Sequence, residues 1–273
     1  MTVGDRVVAS GLEDLQRGLM TLDRVVVAFS GGADSALLAR VAHDTLGADR
    51  VRAVTAVSPS LAGDQLADAA ALAGEWGLRW TTVETHEMES AAYRVNDAHR
   101  CAHCKDALMD ILEPIAGAEG ATVLLGVNAD DLTDHRPGQV AAEARGARFP
   151  LAEAGLTKAD VRALSRHLGL RTWDKPAAAC LASRVPYGTE VTVSVLSAVE
   201  RAEAALQRLG FDDLRLRHYG DTARIEVPLD RLADVLEARR KVVEAVRAAG
   251  YLYVTLDLEG LRSGNLNQAL DDG

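Results

Sequence analysis

The sequence is short of cysteine, with three thiols in 273 residues. So few, and an odd number, exclude a disulfide framework and suit a reducing compartment. Basic residues are also in deficit: 30 Lys and Arg stand against 40 Asp and Glu, a formal charge of −10. That balance argues against a nucleic-acid binder and against a polybasic membrane-surface protein. Long apolar runs are missing, since nothing approaches the ~18 uninterrupted apolar residues of a membrane span. Asp5, Arg6, Glu13, Asp14 and Arg17 interrupt the first 22 residues, unlike a targeting segment. The expectation is a cytoplasmic protein with neither nucleic-acid nor membrane partners. What is abundant is apolar residues, 48% of the chain, enough to core one large domain or two smaller ones.

The charge is unevenly placed. Residues 1–150 carry 13 Lys and Arg and 22 Asp and Glu, whereas 151–273 carry 17 and 18 and favour arginine. This shift predicts two domains, 1–175 and 176–273. In the first, short apolar runs at 24–30, 51–57, 79–84 and 122–127 read as buried strands. Amphipathic stretches at 34–46, 62–76, 101–116 and 157–168 read as helices, the last capped by Thr157 with Asp160 three residues on. Val-rich strands alternating with helices predict an α/β fold, a parallel sheet covered on both faces. Residues 128–150 are polar and read as a long loop. The second domain has the rhythm of a small α+β unit: helix 193–209, strands 214–219 and 223–227, helix 229–248 and strand 251–256.

Between the first strand and its helix lies Ser30-Gly31-Gly32-Ala33-Asp34-Ser35. Two glycines let the backbone approach an anion, and the following helix offers free N–H groups at its positive dipole end. No lysine follows as in G-x-x-x-x-G-K-[ST], and G-x-G-x-x-G is absent. By itself Gly-Gly would equally suit a tight strand–helix turn. The S-G-G-x-D-S pattern in this context resembles the pyrophosphate loop of PP-loop ATP pyrophosphatases, which cleave ATP between the α and β phosphates and adenylate a substrate.

Other segments narrow the resemblance. Residues 100–105 (RCAHCK), 126–131 (GVNADD), 136–138 (RPG), 175–188 (KPAAACLASRVPYG), 217–226 (RHYGDTARIE) and 256–264 (LDLEGLRSG) are similar, in order and spacing, to the LarE family. Those enzymes insert sulfur into pyridinium-3,5-biscarboxylic acid mononucleotide during synthesis of a nickel-pincer nucleotide cofactor. The resemblance implies a PP-loop domain followed by a smaller α/β domain, and a homo-oligomer. It also implies that a substrate carboxylate attacks the α-phosphorus of ATP, giving an acyl adenylate and pyrophosphate. Ser30, Gly31, Gly32, Asp34, Ser35, Gly126, Asn128 and Asp130 are then expected to bind ATP, with Asp34 and Asp130 as candidate Mg²⁺ or ribose contacts. For Asp34 the plainer reading is helix-dipole compensation.

In the family the cysteine of C-L-x-S-R, here Cys180, attacks the adenylate, and in the sacrificial type its sulfur leaves into the product. Arg184 and Lys175, close in sequence, are expected to favour its thiolate; an inert buried thiol is the plainer reading. Cys101 and Cys104 form a C-x-x-C that suits redox chemistry, zinc (with His99 and His103) or an iron–sulfur cluster. With Cys180 they supply the three thiolates of a [4Fe–4S] cluster with one open iron, as in some LarE relatives and tRNA thiolases. Arg215 and Arg217, two apart in a strand, project from one face. With Arg224 and Arg262, and with Ser183 and Arg184 linking them to Cys180, they are the expected site for the anionic pyridinium mononucleotide. The alternative for these arginines is a solvated strand face paired with Asp212, Asp213 and Glu226. A tRNA thiolase would need a basic face to hold phosphate. An NAD- or GMP-synthase-like ligase would need an ammonia source and leaves all three cysteines without a role.

Overall fold

The computed structural model describes residues 3–133, 137–176 and 179–262. In chain order its elements are α1 (Val3–Met20), β1 (Val25–Ala28), α2 (Ala33–Leu46), β2 (Val51–Val57), α3 (Gly63–Glu75), β3 (Arg79–Glu84), α4 (Ala91–Arg94) and α5 (Arg100–Glu119). They continue with β4 (Thr122–Leu124), α6 (Ala129–Thr133), α7 (Pro137–Ala144), α8 (Pro150–Glu153), α9 (Lys158–His167) and α10 (Val193–Gln207). The last are β5 (Arg215–Tyr219), β6 (Thr222–Glu226), α11 (Leu232–Glu237), α12 (Arg239–Ala248) and β7 (Tyr253–Leu256). Two compact units divide the chain: Met1–Ser58, Gly63–Glu87 and Cys101–Ala178 make one, and Pro59–Ala62, Met88–Arg100 and Ala179–Gly273 the other.

The first unit is built on a parallel sheet in the order β3-β2-β1-β4. Its Val-rich strands are apolar on successive residues because both faces are covered. Val25 and Val27 enter one core with Leu15 and Leu19 of α1, Leu37 and Val41 of α2 and Leu164 of α9. Val26 points the other way, into a core with Met109 and Leu112 of α5. The predicted doubly covered α/β sheet is therefore present. No helix among the described residues is long and apolar enough to cross a membrane.

The polar stretch 128–150, predicted as a loop, instead carries α6, α7 and the start of α8. Asn128 caps α6, its Oδ1 accepting from the backbone N–H groups of Asp130 (3.0 Å) and Asp131 (3.2 Å). Pro137 and Pro150 each open a helix, where the missing N–H costs nothing. The predicted cap of α9 is a full capping box, with Thr157 Oγ1 accepting from the Asp160 N–H and the Asp160 carboxylate accepting from the Thr157 N–H.

The second unit holds a three-stranded mixed sheet, β5-β6-β7, with β5 and β6 antiparallel and β6 and β7 parallel. Leu216, Ala223 and Ile225 bury one face against Leu196 and Val199 of α10 and Val242 and Val246 of α12. The predicted single helix 229–248 is broken. After a 3₁₀ turn, α11 ends and α12 begins around Ala238, whose φ −82° and ψ 7° leave helical geometry.

Candidate active site

The glycine loop leaves the C-terminal end of β1, at the middle of the parallel sheet, where open α/β folds bind ligands. Gly31 takes φ +70°, a conformation open to glycine, and a Cβ there would lie 3.1 Å from the backbone and side chain of Ala69 in α3. Ser30 Oγ and Ser35 Oγ lie 3.0 Å apart, and Ser35 Oγ also accepts from the Ser30 N–H and donates to the Gly32 carbonyl. Gly32 caps α2 without any side-chain hydrogen bond. The first N–H groups of α2 thus have no intrahelical or side-chain cap competing for them, as an anion site requires.

From the far side the loop is braced by Gly126, after β4. A Cβ at Gly126 would stand 2.9 Å from the Ser35 nitrogen and 3.1 Å from Asp34 C and Ser35 Cα. The next turn brings Asn128 to the loop: its Nδ2 donates to Asp34 Oδ1 at 3.3 Å. Lys158 completes the group, its ammonium on Asp34 Oδ2 at 2.5 Å and its backbone N–H on Asp130 Oδ2 at 2.8 Å. Asp34, Asn128 and Asp130 therefore converge beside the loop. Lys158 was not foreseen. A single lysine at the start of a helix carries no local signal, and only the packing of α9 against α2 brings it to Asp34.

The cysteines lie in different units. Cys101 and Cys104 are exposed on the first turns of α5 in the first unit. Gly138 of α7 packs on that turn, where a Cβ would sit 3.1 Å from Lys105 Cβ and 3.3 Å from Ala102 Cα. Cys180, half-buried, belongs to the second unit and caps the short 3₁₀ turn Leu181–Arg184. Among the described residues no three His, Cys, Asp or Glu side chains form a metal-binding group.

The arginines of the second unit separate by partner. Arg184 donates from Nε and Nη2 to Glu203 and from Nη1 to the carbonyls of Ala179 (2.7 Å) and Cys180 (3.3 Å). It anchors the cysteine turn through its backbone. Arg217, 3% exposed, holds the fully buried Glu226 at 2.9 Å and the Ser183 carbonyl at 2.8 Å. Arg224, opposite Arg217 in the strand pair, shares Glu226 and lies over the Tyr219 ring. The pairing weighed from sequence for these two residues is thus real for Glu226, but buried instead of solvated. Arg262 pairs with Glu259. Arg215 differs: its Nη1 makes a long hydrogen bond to the Arg262 carbonyl at 3.5 Å. Burial and the neighbouring charges of Arg184 and Arg217 pull its pKa below the usual arginine value. Asn96 stitches the 185–189 segment to this unit. Its left-handed backbone (φ +58°) aims Nδ2 at the carbonyls of Val185, Pro186 and Thr189.

The first unit, with its parallel sheet, braced glycine loop and helix N-terminus, defines a PP-loop nucleotide-binding domain. Consistent with this, the NAD synthase family profile matches residues 14–110. A glutamine-dependent NAD(+) synthetase of Rhodobacter capsulatus is 44% identical over 86 residues, 32% of this chain and 15% of that protein. Two relatives extend over nearly everything. An uncharacterized protein of Synechocystis is 47% identical over 96% of this chain and 98% of its own length. The pyridinium-3,5-bisthiocarboxylic acid mononucleotide synthase of Lactiplantibacillus plantarum is 40% identical over 94% of this chain and 93% of its own. The chain belongs to the LarE family.

Proposed function

We propose that the protein is an ATP-dependent sulfurtransferase that converts a carboxylate of pyridinium-3,5-biscarboxylic acid mononucleotide to a thiocarboxylate for nickel-pincer cofactor synthesis. The observation that carries this reading is the 40% identity to the mononucleotide synthase over 94% of the chain, a span that takes in both units. A substrate carboxylate oxygen bonds to the α-phosphorus as the bond to the bridging α–β oxygen breaks. Gly31, Gly32 and the N-terminus of α2 take the departing pyrophosphate. Asp34 and Asp130 are the carboxylates that would hold Mg²⁺, which neutralises phosphate charge when bound. Lys158 sits on Asp34 and balances its charge. A sulfur nucleophile then bonds to the acyl carbon and AMP leaves.

In the second unit Arg215 is the arginine proposed to meet the substrate anion, since it is partly desolvated and feels the like charges of Arg184 and Arg217 more than the carboxylates of Glu226 and Glu203. Arg184, Arg217 and Arg224 hold the cysteine turn and sheet beneath it, and Ser183 and Arg262 flank it. For sulfur, the three-thiol content favours a [4Fe–4S] cluster that Cys101, Cys104 and Cys180 would ligate, whose open iron would hold a sulfide. Consumption of Cys180 itself is the second reading. A cytoplasmic homo-oligomer without nucleic acid completes the proposal, and sedimentation reads its size.

Incubation with ATP, Mg²⁺ and the dicarboxylate mononucleotide should release AMP and pyrophosphate with formation of the thiocarboxylate. No AMP release overturns the proposed function. Intact-protein mass decides the sulfur source. Loss of one sulfur and two hydrogens marks sacrifice, whereas repeated turnover at unchanged mass, with iron and visible absorbance after anaerobic reconstitution, marks the cluster.

A further inference from the structure

Lys175 opens the K-P segment that leads towards Cys180, and its charge was expected to serve that thiol. Its ammonium is instead committed inside the first unit. Nζ donates to the Gly31 carbonyl at 2.9 Å and to the Asp68 carboxylate of α3. Asp68 is in turn held by Arg171 at 2.6 Å, which also reaches Glu75. Burial raises the Asp68 pKa, but Lys175 and Arg171 outweigh it and keep the carboxyl below its usual range.

The Gly31 carbonyl is a telling place to hold. Across a trans peptide the C=O of one residue and the N–H of the next point in opposite directions. Fixing the Gly31 oxygen on Lys175 therefore aims the Gly32 N–H away from Lys175, towards the concave side of the loop. There that N–H makes a long 3.3 Å hydrogen bond to Ser30 Oγ, a partner easily exchanged for a phosphate oxygen. The other side of Gly31 is walled by Ala69, next to Asp68 on the same helix. Glycine is the residue freest to rotate this peptide plane, so an external clamp has the most effect here.

We propose that Lys175 is a positioning residue of the ATP site: it locks the Gly31–Gly32 peptide so that the Gly32 N–H is preset for the pyrophosphate, and it does not activate Cys180. This deepens the PP-loop reading and rests on it. The test compares wild type with Lys175→Met, Lys175→Arg and Asp68→Asn. Two readouts are used: equilibrium binding of Mg·ATP and of inorganic pyrophosphate, and the pH profile of Cys180 alkylation by iodoacetamide. Lys175→Met should weaken pyrophosphate and ATP binding at least about tenfold, the loss of one charge-assisted hydrogen bond. Lys175→Arg should restore most of it, Asp68→Asn should show a smaller loss, and the alkylation midpoint of Cys180 should stay at the wild-type value. Unchanged binding by Lys175→Met, or a midpoint displaced upward, overturns the assignment. If wild type itself binds neither ATP nor pyrophosphate, it is the PP-loop reading that fails. Matching urea midpoints for Lys175→Arg and wild type guard against a folding defect.

Discussion

Gly126→Ala isolates what the tertiary packing does for the glycine loop. The new methyl would meet three backbone atoms of Asp34 and Ser35 at 2.9–3.1 Å. Ordinary contact begins near 3.4 Å, so the overlap is a few tenths of an ångström on each. Backbone in the first turn of a helix cannot rotate aside as a side chain does, and the strain falls on the loop itself. Overpacking of this kind costs about 1–3 kcal/mol. The displaced Asp34 also leaves its contacts with Asn128 and Lys158. Urea denaturation should show a loss of about 2 kcal/mol, and kcat/KM for ATP in AMP release should fall at least about tenfold, the scale of sub-ångström misplacement. Gly117→Ala is the control, because its Cβ would meet nothing within 4 Å in the last turn of α5. It should stabilise by about 0.4–1 kcal/mol with activity unchanged. Wild-type stability and ATP kinetics in Gly126→Ala would refute the claim that this glycine braces the loop.

Three further outcomes test the second unit. Arg217→Met takes the Arg217 guanidinium away from the fully buried Glu226, which Arg224 also holds, and should destabilise by about 3 kcal/mol in urea. Arg215→Ala, removing a charge the ligand-free fold already disfavours, should keep stability within about 0.5 kcal/mol while raising the mononucleotide KM; the reverse ranking in either assay would sink the division of roles. Burial lowers the pKa of His218, which contacts the Tyr251 hydroxyl at 3.2 Å, below the ordinary 6.5. The unfolded chain therefore binds the proton more readily, so the contribution of neutral His218 is present above about pH 6.5 and is lost as pH falls below it. A stability difference between wild type and His218→Gln that shrinks on acidification from pH 7 to 5 is the expected result, and a pH-independent difference would contradict it.

Much of this molecule is local enough to be legible in the chain. Val25, Val26 and Val27 announce a strand covered on both sides, because an uninterrupted apolar run is stable only there. Thr157 and Asp160 announce the start of α9, because capping is settled within four residues. Ser30 to Ser35 announce an anion loop, because its chemistry is carried by backbone and short hydroxyls next to each other. The 128–150 stretch misled because Asn128, Pro137 and Pro150 act as helix starters while composition alone reads as loop.

What tertiary structure alone decided is which charge meets which. Arg215, Arg217 and Arg224 look alike in sequence. Arg217 and Arg224 close on the buried Glu226 and become supports, whereas Arg215 stays half-buried where the charges of Arg184 and Arg217 outweigh the carboxylates of Glu226 and Glu203. Lys158 and Lys175 are isolated lysines until α9 and the 171–176 turn carry them to Asp34 and Gly31. Long flexible side chains have no local preference for a partner, so their roles follow only from where distant elements pack. The three cysteines that the composition first set aside illustrate both halves. Their count and motif came from the sequence, while the fold assigned two to the first turns of an α5 helix and one to a capped turn in the other unit.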